Sequence, residues 1–158
     1  VFPTEIRASI QGRAVLPRWT SEGLATMFEL PATSEGASLG GTNHQRLFEY
    51  RDFFNNGDNL PNMREFMLDD SMFLNGGGTF YPLGWAVTHY LWNKKRDGYA
   101  KYLQAIYENT VAERYSRTDR QKLIEDTLGK IDDQWVKDFV DYMKSLELKQ
   151  SILPPDIQ

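Results

Sequence analysis

The stretch from Tyr81 to Trp92 constrains the fold more than any other. At helical spacing, Leu83, Val87, Tyr90 and Leu91 make one apolar stripe; Trp85, His89 and Trp92, at i, i+4 and i+7, make a second. A helix apolar on two sides must be covered on two sides, so it belongs at the buried centre of a domain. The rest of the chain supplies that cover. Helical spacing recurs in Trp19, Leu24, Met27 and Phe28, in Leu47, Tyr50, Phe53 and Phe54, and in Tyr102, Leu103, Ile106 and Tyr107. It recurs again in Trp135, Phe139, Met143 and Leu146, backed by Val136 and Val140.

Turn and cap residues divide these stripes. Pro17 precedes a short helix over 19–29, and Pro31 stops it. Residues 31–43 are small and polar and read as an exposed loop. Asn43 is placed to cap a helix over 44–55, which Asn55-Asn56-Gly57 ends. A short helix follows Asn59-Leu60-Pro61, with the proline early in it and Met63, Phe66 and Met67 inward, and Asn75-Gly76-Gly77-Gly78 reads as a flexible loop. Asp97-Gly98 is expected to break the central helix. Thr118 is expected to cap a helix that Gly129 terminates, and Asp132 to cap the last one. Ile6, Ile10, Ala14 and Val15 fit an irregular segment or a short strand, and Pro154-Pro155 is non-helical. The expected fold is mainly α, one domain over residues 1–158 with about seven helices. Residues 1–43 are loop-rich and carry the 19–29 helix, 44–150 form a helical scaffold, and 151–158 form a tail.

Charge excludes some functions. Eighteen Lys and Arg against 22 Asp and Glu give a net charge of −4, a poor match for nucleic acid or anionic lipid. The imbalance sits in residues 1–80, with 6 Arg, no Lys and 10 acids. No apolar run reaches the roughly 18–20 residues of a membrane span. With no cysteine, a disulfide scaffold, a thiolate zinc site and a cysteine nucleophile are ruled out.

The segment richest in candidate chemistry is Leu16 to Glu29, L-P-R-W-T-S-E-G-L-A-T-M-F-E. Glu22 lies between Trp19 and an apolar helix face, and Gly23 follows it. Glycine inside a helix costs roughly 1 kcal/mol relative to alanine, which points to close backbone approach at that position. On residue chemistry alone, Glu22 equally suits a first-turn carboxylate favoured by the helix dipole. Asp69-Asp70 and Asp132-Asp133 neighbour helix ends and read as caps. Gly76-Gly77-Gly78 lacks the Lys-Ser/Thr of a phosphate loop and reads as a turn or the rim of a cleft. No spacing singles out the facing carboxylates of a glycosidase. His44, beside Asn43, reads as a surface residue.

The pattern Trp-x-x-Glu-Gly-x-Ala-x-x-x-Glu, from Trp19 to Glu29, resembles the second zinc motif of gluzincin metallopeptidases. The order of Y-P-L-G-W-A-V-T-H-Y-L-W, Tyr99-x-x-Tyr102-Leu103, I-E-D-T-L-G and W-V-K-D-F-V-D-Y-M resembles the helical C-terminal part of bacterial peptidase-MA-like domains. The resemblance covers residues 16–147. It implies Glu22 as the third zinc ligand and Glu29 as a structural acid on the same face. It further implies Tyr81, 59 positions after Glu22, as a donor to the oxyanion, and His89 as a substrate-polarising imidazole. Against these stand a helix-start tyrosine with its ring in the core and a hydrogen-bonded core histidine. The implied reaction is attack of zinc-activated water on a peptide carbonyl.

The H-E-x-x-H helix of that family, with its two His ligands and general base, is missing. His44 and His89 are the only histidines and neither starts the motif. It is expected in a segment preceding Val1, with Val1 to Ser21 between its last His and Glu22. The 158-residue chain alone is therefore expected to bind no stoichiometric zinc and to be inactive. An extracytoplasmic location accords with the resemblance. The alternatives are a non-catalytic helical module, a relative that has lost its metal site, and a carbohydrate-binding surface, which needs an exposed aromatic row.

Overall fold

A computed structural model describes residues 16–29, 40–109 and 116–158. The protein is mainly α, with no strand among the described residues. Among the described residues eight α-helices appear in this order: α1 (Arg18–Met27), α2 (His44–Phe53), α3 (Met63–Leu68), α4 (Ser71–Asn75), α5 (Tyr81–Lys94), α6 (Arg96–Asn109), α7 (Arg117–Leu128) and α8 (Asp133–Ser145). Short 3₁₀ turns lie at Asn55–Gly57, Gly77–Phe80 and Gln150–Ile152.

The two-sided helix is the centre, as its stripes require. Every residue of α5 from Pro82 to Leu91 is buried. α1, α2, α6 and α8 all pack against it, α1 most extensively. On one side Tyr90 meets Trp135 and Phe139 of α8 at 5.5 and 5.6 Å between ring centroids, both edge-on. A second aromatic cluster, Phe54, Phe66, Phe73 and Phe80, closes the bundle near the start of α5.

Local chemistry explains most boundaries. Asn43 Oδ1 accepts from the Arg46 amide at 3.1 Å, and Asp132 Oδ1 accepts from the Trp135 amide at 2.9 Å. The α2 terminus uses left-handed backbone at Asn55 and Asn56, φ 47° and 51°, before Gly57 at φ 100°. Gly129 ends α7 at φ 89°.

Four boundaries differ from expectation. Ser116, not Thr118, caps α7, because Ser116 forms a reciprocal capping box with Asp119, its side chain and the Asp119 carboxylate each binding the other's backbone N–H. Asn62 caps α3, so Pro61 lies one residue before the cap. Asp97-Gly98 does not break the chain: the break falls at Lys95, and both residues sit in the first turn of α6. Gly98 is there for space, since a Cβ on it would run into the Thr127 carbonyl at the end of α7. The Gly76–Gly78 stretch is not an open loop but a 3₁₀ turn after α4, where a side chain on Gly76 would strike the Phe80 ring. The expected reading of residues 1–15 and most of the 31–43 loop falls outside the described residues.

Candidate functional site: the Glu22 helix at its crossing with the central helix

α1 has little propensity to stand alone; ten residues is below the length at which isolated helices persist. Its position comes from burial and from ties at both ends. Trp19 is 1% exposed, donates its Nε1–H to the Met67 carbonyl at 3.0 Å and stacks on Tyr102 at 5.3 Å. Thr20 shares a 2.8 Å hydrogen bond with the Tyr102 hydroxyl. At the N-terminus the Arg18 amide donates to Asp70 Oδ1 at 3.0 Å, and Arg120 from α7 reaches the same carboxylate at 3.3 Å. Asp70 thus caps a helix 52 residues away, while Asp69 caps α4 through the Ser71 amide at 2.9 Å. That bond draws the Asp69 carboxyl below its ordinary range.

Gly23 does what its cost implies. A Cβ built there would overlap Thr88 Oγ1 and lie 2.7 Å from the Gly84 carbonyl oxygen. Facing it, Gly84 has the Gly23 amide nitrogen and Trp19 carbonyl oxygen at 3.6 and 3.7 Å from its own would-be Cβ. Two glycines let the backbones of α1 and α5 meet. Glu22 immediately precedes one of them; Tyr81 lies one turn before the other.

Glu22 is neither sealed in the core nor fully open. Its side chain is 22% exposed and its carboxylate pairs with Arg18, one turn back on the same helix, at 3.2 Å. Tyr81 is half-buried at the start of α5, its ring edge-on to Phe73 at 5.8 Å. Among the described residues its hydroxyl makes no hydrogen bond. Glu29 ties α1 to α2: Arg46 donates to it through Nη2 at 2.7 Å and Nε at 2.9 Å, and Asn43 at 3.2 Å. This paired geometry holds the Arg46 guanidinium above its usual range.

His89 stands apart. It is 2% exposed, between Trp85 at 4.9 Å and Tyr142 at 5.7 Å. Its Nδ1 shares a 2.9 Å hydrogen bond with the Tyr142 hydroxyl. Burial lowers its pKa to about 4, so the ring is neutral at pH 7. The geometry is that of a core histidine, and no substrate reaches it without opening the helix packing. His44 is also buried, at 8%, not on the surface as its neighbours suggested, because its Nδ1 accepts the Lys149 amide at 3.0 Å.

Sequence reasoning passed over Arg46 and Glu49. Glu49 faces Arg46 at 3.6 Å, and its Oε1 is buried without a hydrogen bond. Desolvation raises the Glu49 pKa, partly offset by Arg46. The i, i+3 spacing of Arg46 and Glu49 was the available signal, but it is common on helix surfaces. Tyr81 lies within electrostatic reach of Arg46.

A zinc site needs three protein donors. Glu22 offers one of the right kind, and among the described residues its ion pair is with a half-exposed arginine of its own helix. Among the described residues no group of three His, Cys, Asp or Glu is placed to hold a metal ion; a zinc site at Glu22 would need its remaining donors from outside them. Of the large aromatic side chains described, Phe28 and Phe53 are exposed, each at the C-terminal end of a different helix. They make no row for stacking sugars. No helix among the described residues is long and apolar enough to cross a membrane.

The family model described as "Protein of unknown function (DUF1570)" matches residues 7–112. No curated protein and no solved structure matches the chain.

Proposed function

The chain belongs to the DUF1570 family, whose description assigns no chemistry, and on the residues themselves we propose that it is the C-terminal helical part of a gluzincin-type zinc metallopeptidase domain. In this reading Glu22 is the third zinc ligand, and a preceding segment carrying H-E-x-x-H brings the other two ligands and the general base. Zinc, when held, supplies a Lewis acid and a water activated near neutral pH. The chain's own residues do the rest. α1, fixed at Trp19 and at the Arg18–Asp70 tie, orients the Glu22 carboxylate. Tyr81 supplies a neutral phenol for charge developing on a peptide carbonyl oxygen. Glu29 holds α1 against α2 through Arg46.

The observation that carries this reading is the Gly23–Gly84 contact. It accounts for the glycine of the Glu-Gly pattern by helix crossing, and it leaves the acid beside it partly exposed on a helix fixed at both ends. The test is hydrolysis of a peptide library by the full-length protein. Glu22→Ala should abolish cleavage, and Tyr81→Phe should lower kcat by about 10²–10³-fold, the range for one lost oxyanion donor. Cleavage that survives Glu22→Ala rejects the proposal.

One observation favours a second reading, a non-catalytic helical binding module. The Glu22 carboxylate is already neutralised by Arg18, as a structural i, i+4 pair would be. The residues encoded ahead of Val1 decide between the two: H-E-x-x-H supports the enzyme, its absence the module.

A further inference from the structure

The chain contains two Asn-Gly dipeptides, Asn56-Gly57 and Asn75-Gly76, and the fold treats them oppositely. A glycine after asparagine leaves its amide nitrogen unshielded by a Cβ, so that nitrogen can attack the asparagine side chain. The dipeptides are chemically equal; only their surroundings separate them.

Asn56-Gly57 is held tightly. The amides of Gly57, Asp58 and Asn59 each bind a backbone carbonyl at 3.0 Å, two of them that of Phe54. Asn56 sits at φ 51° and ψ 34°, and Gly57 at φ 100°. The turn packs against α8, where a Cβ on Gly57 would lie 2.9 Å from Val140 Cγ1. Asn56 Oδ1 is buried without a hydrogen-bond partner, so a carboxylate formed in its place would carry a buried, unanswered charge.

Asn75-Gly76 is open. Asn75 is exposed and is the last residue of α4, a helix of only five residues, and helix ends fray. The Gly76 amide donates to the Met72 carbonyl at 2.9 Å, and the Gly76 carbonyl accepts the Thr79 amide at a long 3.3 Å. The Phe80 ring backs Gly76 on one side. Beyond it Gly77 and Gly78 have nothing within 4 Å of a would-be Cβ, and Leu74 on the other flank is 64% exposed.

We infer that Asn75 is a site of spontaneous covalent modification in the folded protein, deamidating through a succinimide while Asn56 is preserved. The Gly76 nitrogen bonds to Asn75 Cγ and gives up its proton; the Cγ–Nδ2 bond breaks and that nitrogen leaves as ammonia. Water then opens the ring, at Cγ to give aspartate or at the Asn75 backbone carbonyl to give isoaspartate. The sum is water consumed and ammonia released, with nothing oxidised or reduced. Attack requires the glycine nitrogen to swing round until it eclipses the asparagine Cβ, which neither helical nor left-handed backbone does. Each site must therefore open locally first, and its rate follows the population of the open form. Opening at Asn75 frays the end of a helix little longer than one turn. Opening at Asn56 undoes three hydrogen bonds and the packing of the turn on α8. The aspartate product sets a negative charge at the C-terminus of α4, against the helix dipole. The isoaspartate product adds a methylene to the backbone six positions before Tyr81. None of this depends on zinc.

The test is incubation of the full chain at mildly alkaline pH, in buffer and in denaturing urea, with conversion at each asparagine followed by peptide mapping. Trypsin cleavage at Arg64 puts the two dipeptides on separate peptides. In buffer Asn75 should convert about tenfold or more faster than Asn56, the scale on which a fraying end and a packed turn differ in opening. In urea, where neither is protected, the two rates should converge. Asn75→Ser should remove the acidic species that ion-exchange chromatography resolves in the aged protein. Equal rates in buffer, faster conversion at Asn56, or an Asn75 that stays intact in buffer while converting in urea overturns the inference.

Discussion

Replacing Gly23 by Ala probes the contact on which the site geometry rests. Alanine favours a helix by about 1 kcal/mol over glycine, so propensity alone makes Gly23→Ala stabilising. The structure reverses the sign. The new methyl would overlap Thr88 Oγ1 and come within 2.7 Å of the Gly84 carbonyl oxygen. The first contact is with a β-branched side chain inside a buried helix; the second is with backbone, which cannot rotate away. Relief requires α1 and α5 to separate along their most extensive contact, and overpacking of this kind costs typically 1–3 kcal/mol. Because that range describes measured substitutions, and the clash here is with backbone, the net expectation is a loss of about 2 kcal/mol. For a domain of this size that is a fall in Tm of about 4–8 °C. Urea denaturation followed by tryptophan fluorescence reads it, since Trp19 sits beside the crossing. The Gly23→Ala/Thr88→Ala double variant should recover part of the loss and not all, because the Gly84 oxygen remains. A Gly23→Ala protein as stable as the parent, or more so, would refute the close approach.

Asp132→Ala removes the acceptor for the Trp135 amide and should cost about 1 kcal/mol in denaturant titration. Gly98→Ala should destabilise despite its better helix propensity, by about 1–3 kcal/mol, because the methyl meets the Thr127 carbonyl; calorimetry checks the sign. His89 gives a pH dependence. Its folded pKa lies at about 4, below the ordinary 6.5 of a solvated imidazole, so the fold favours the neutral ring. Its contribution is fully present above pH 6.5, falls as pH drops through that value, and is exhausted below about pH 4. The greatest loss is about 3 kcal/mol, from 1.36 kcal/mol per pKa unit. Urea titrations between pH 7.5 and 4 should show this slope, and His89→Gln should flatten it.

Much of the fold was legible because it rests on short-range chemistry. The double stripe of α5 needed only periodicity, and Asn43 and Asp132 cap the helices that immediately follow them. Gly23 was legible by elimination, since a helix pays for glycine only where something comes close. What failed was competition between near-equal local signals and anything joining distant residues. Ser116 and Thr118 both suit a cap, and Asp119 three residues after Ser116 decides it. Gly98 looks like a breaker because the Thr127 carbonyl it accommodates lies 29 positions on. Asp70 looks like a local cap, yet its carboxylate serves α1 and Arg120, 52 and 50 positions away. The candidate site shows the same division. Glu22 and Tyr81 were legible as residues, and their helices do meet. The second stripe of α5 announced the burial of His89, whereas the Arg18 pairing of Glu22, the burial of His44 and the Glu29–Arg46–Glu49 cluster are products of packing, and no periodicity announces them.

The central claim is that Glu22 is a zinc ligand, and the most direct test is zinc content by elemental mass spectrometry. The purified full-length protein should hold one zinc per chain, Glu22→Gln should lose it while keeping its helical circular dichroism, and the 158-residue chain alone should hold none tightly. Equal zinc in the full-length parent and the Glu22→Gln protein, or one tight zinc in the short chain, would contradict the account.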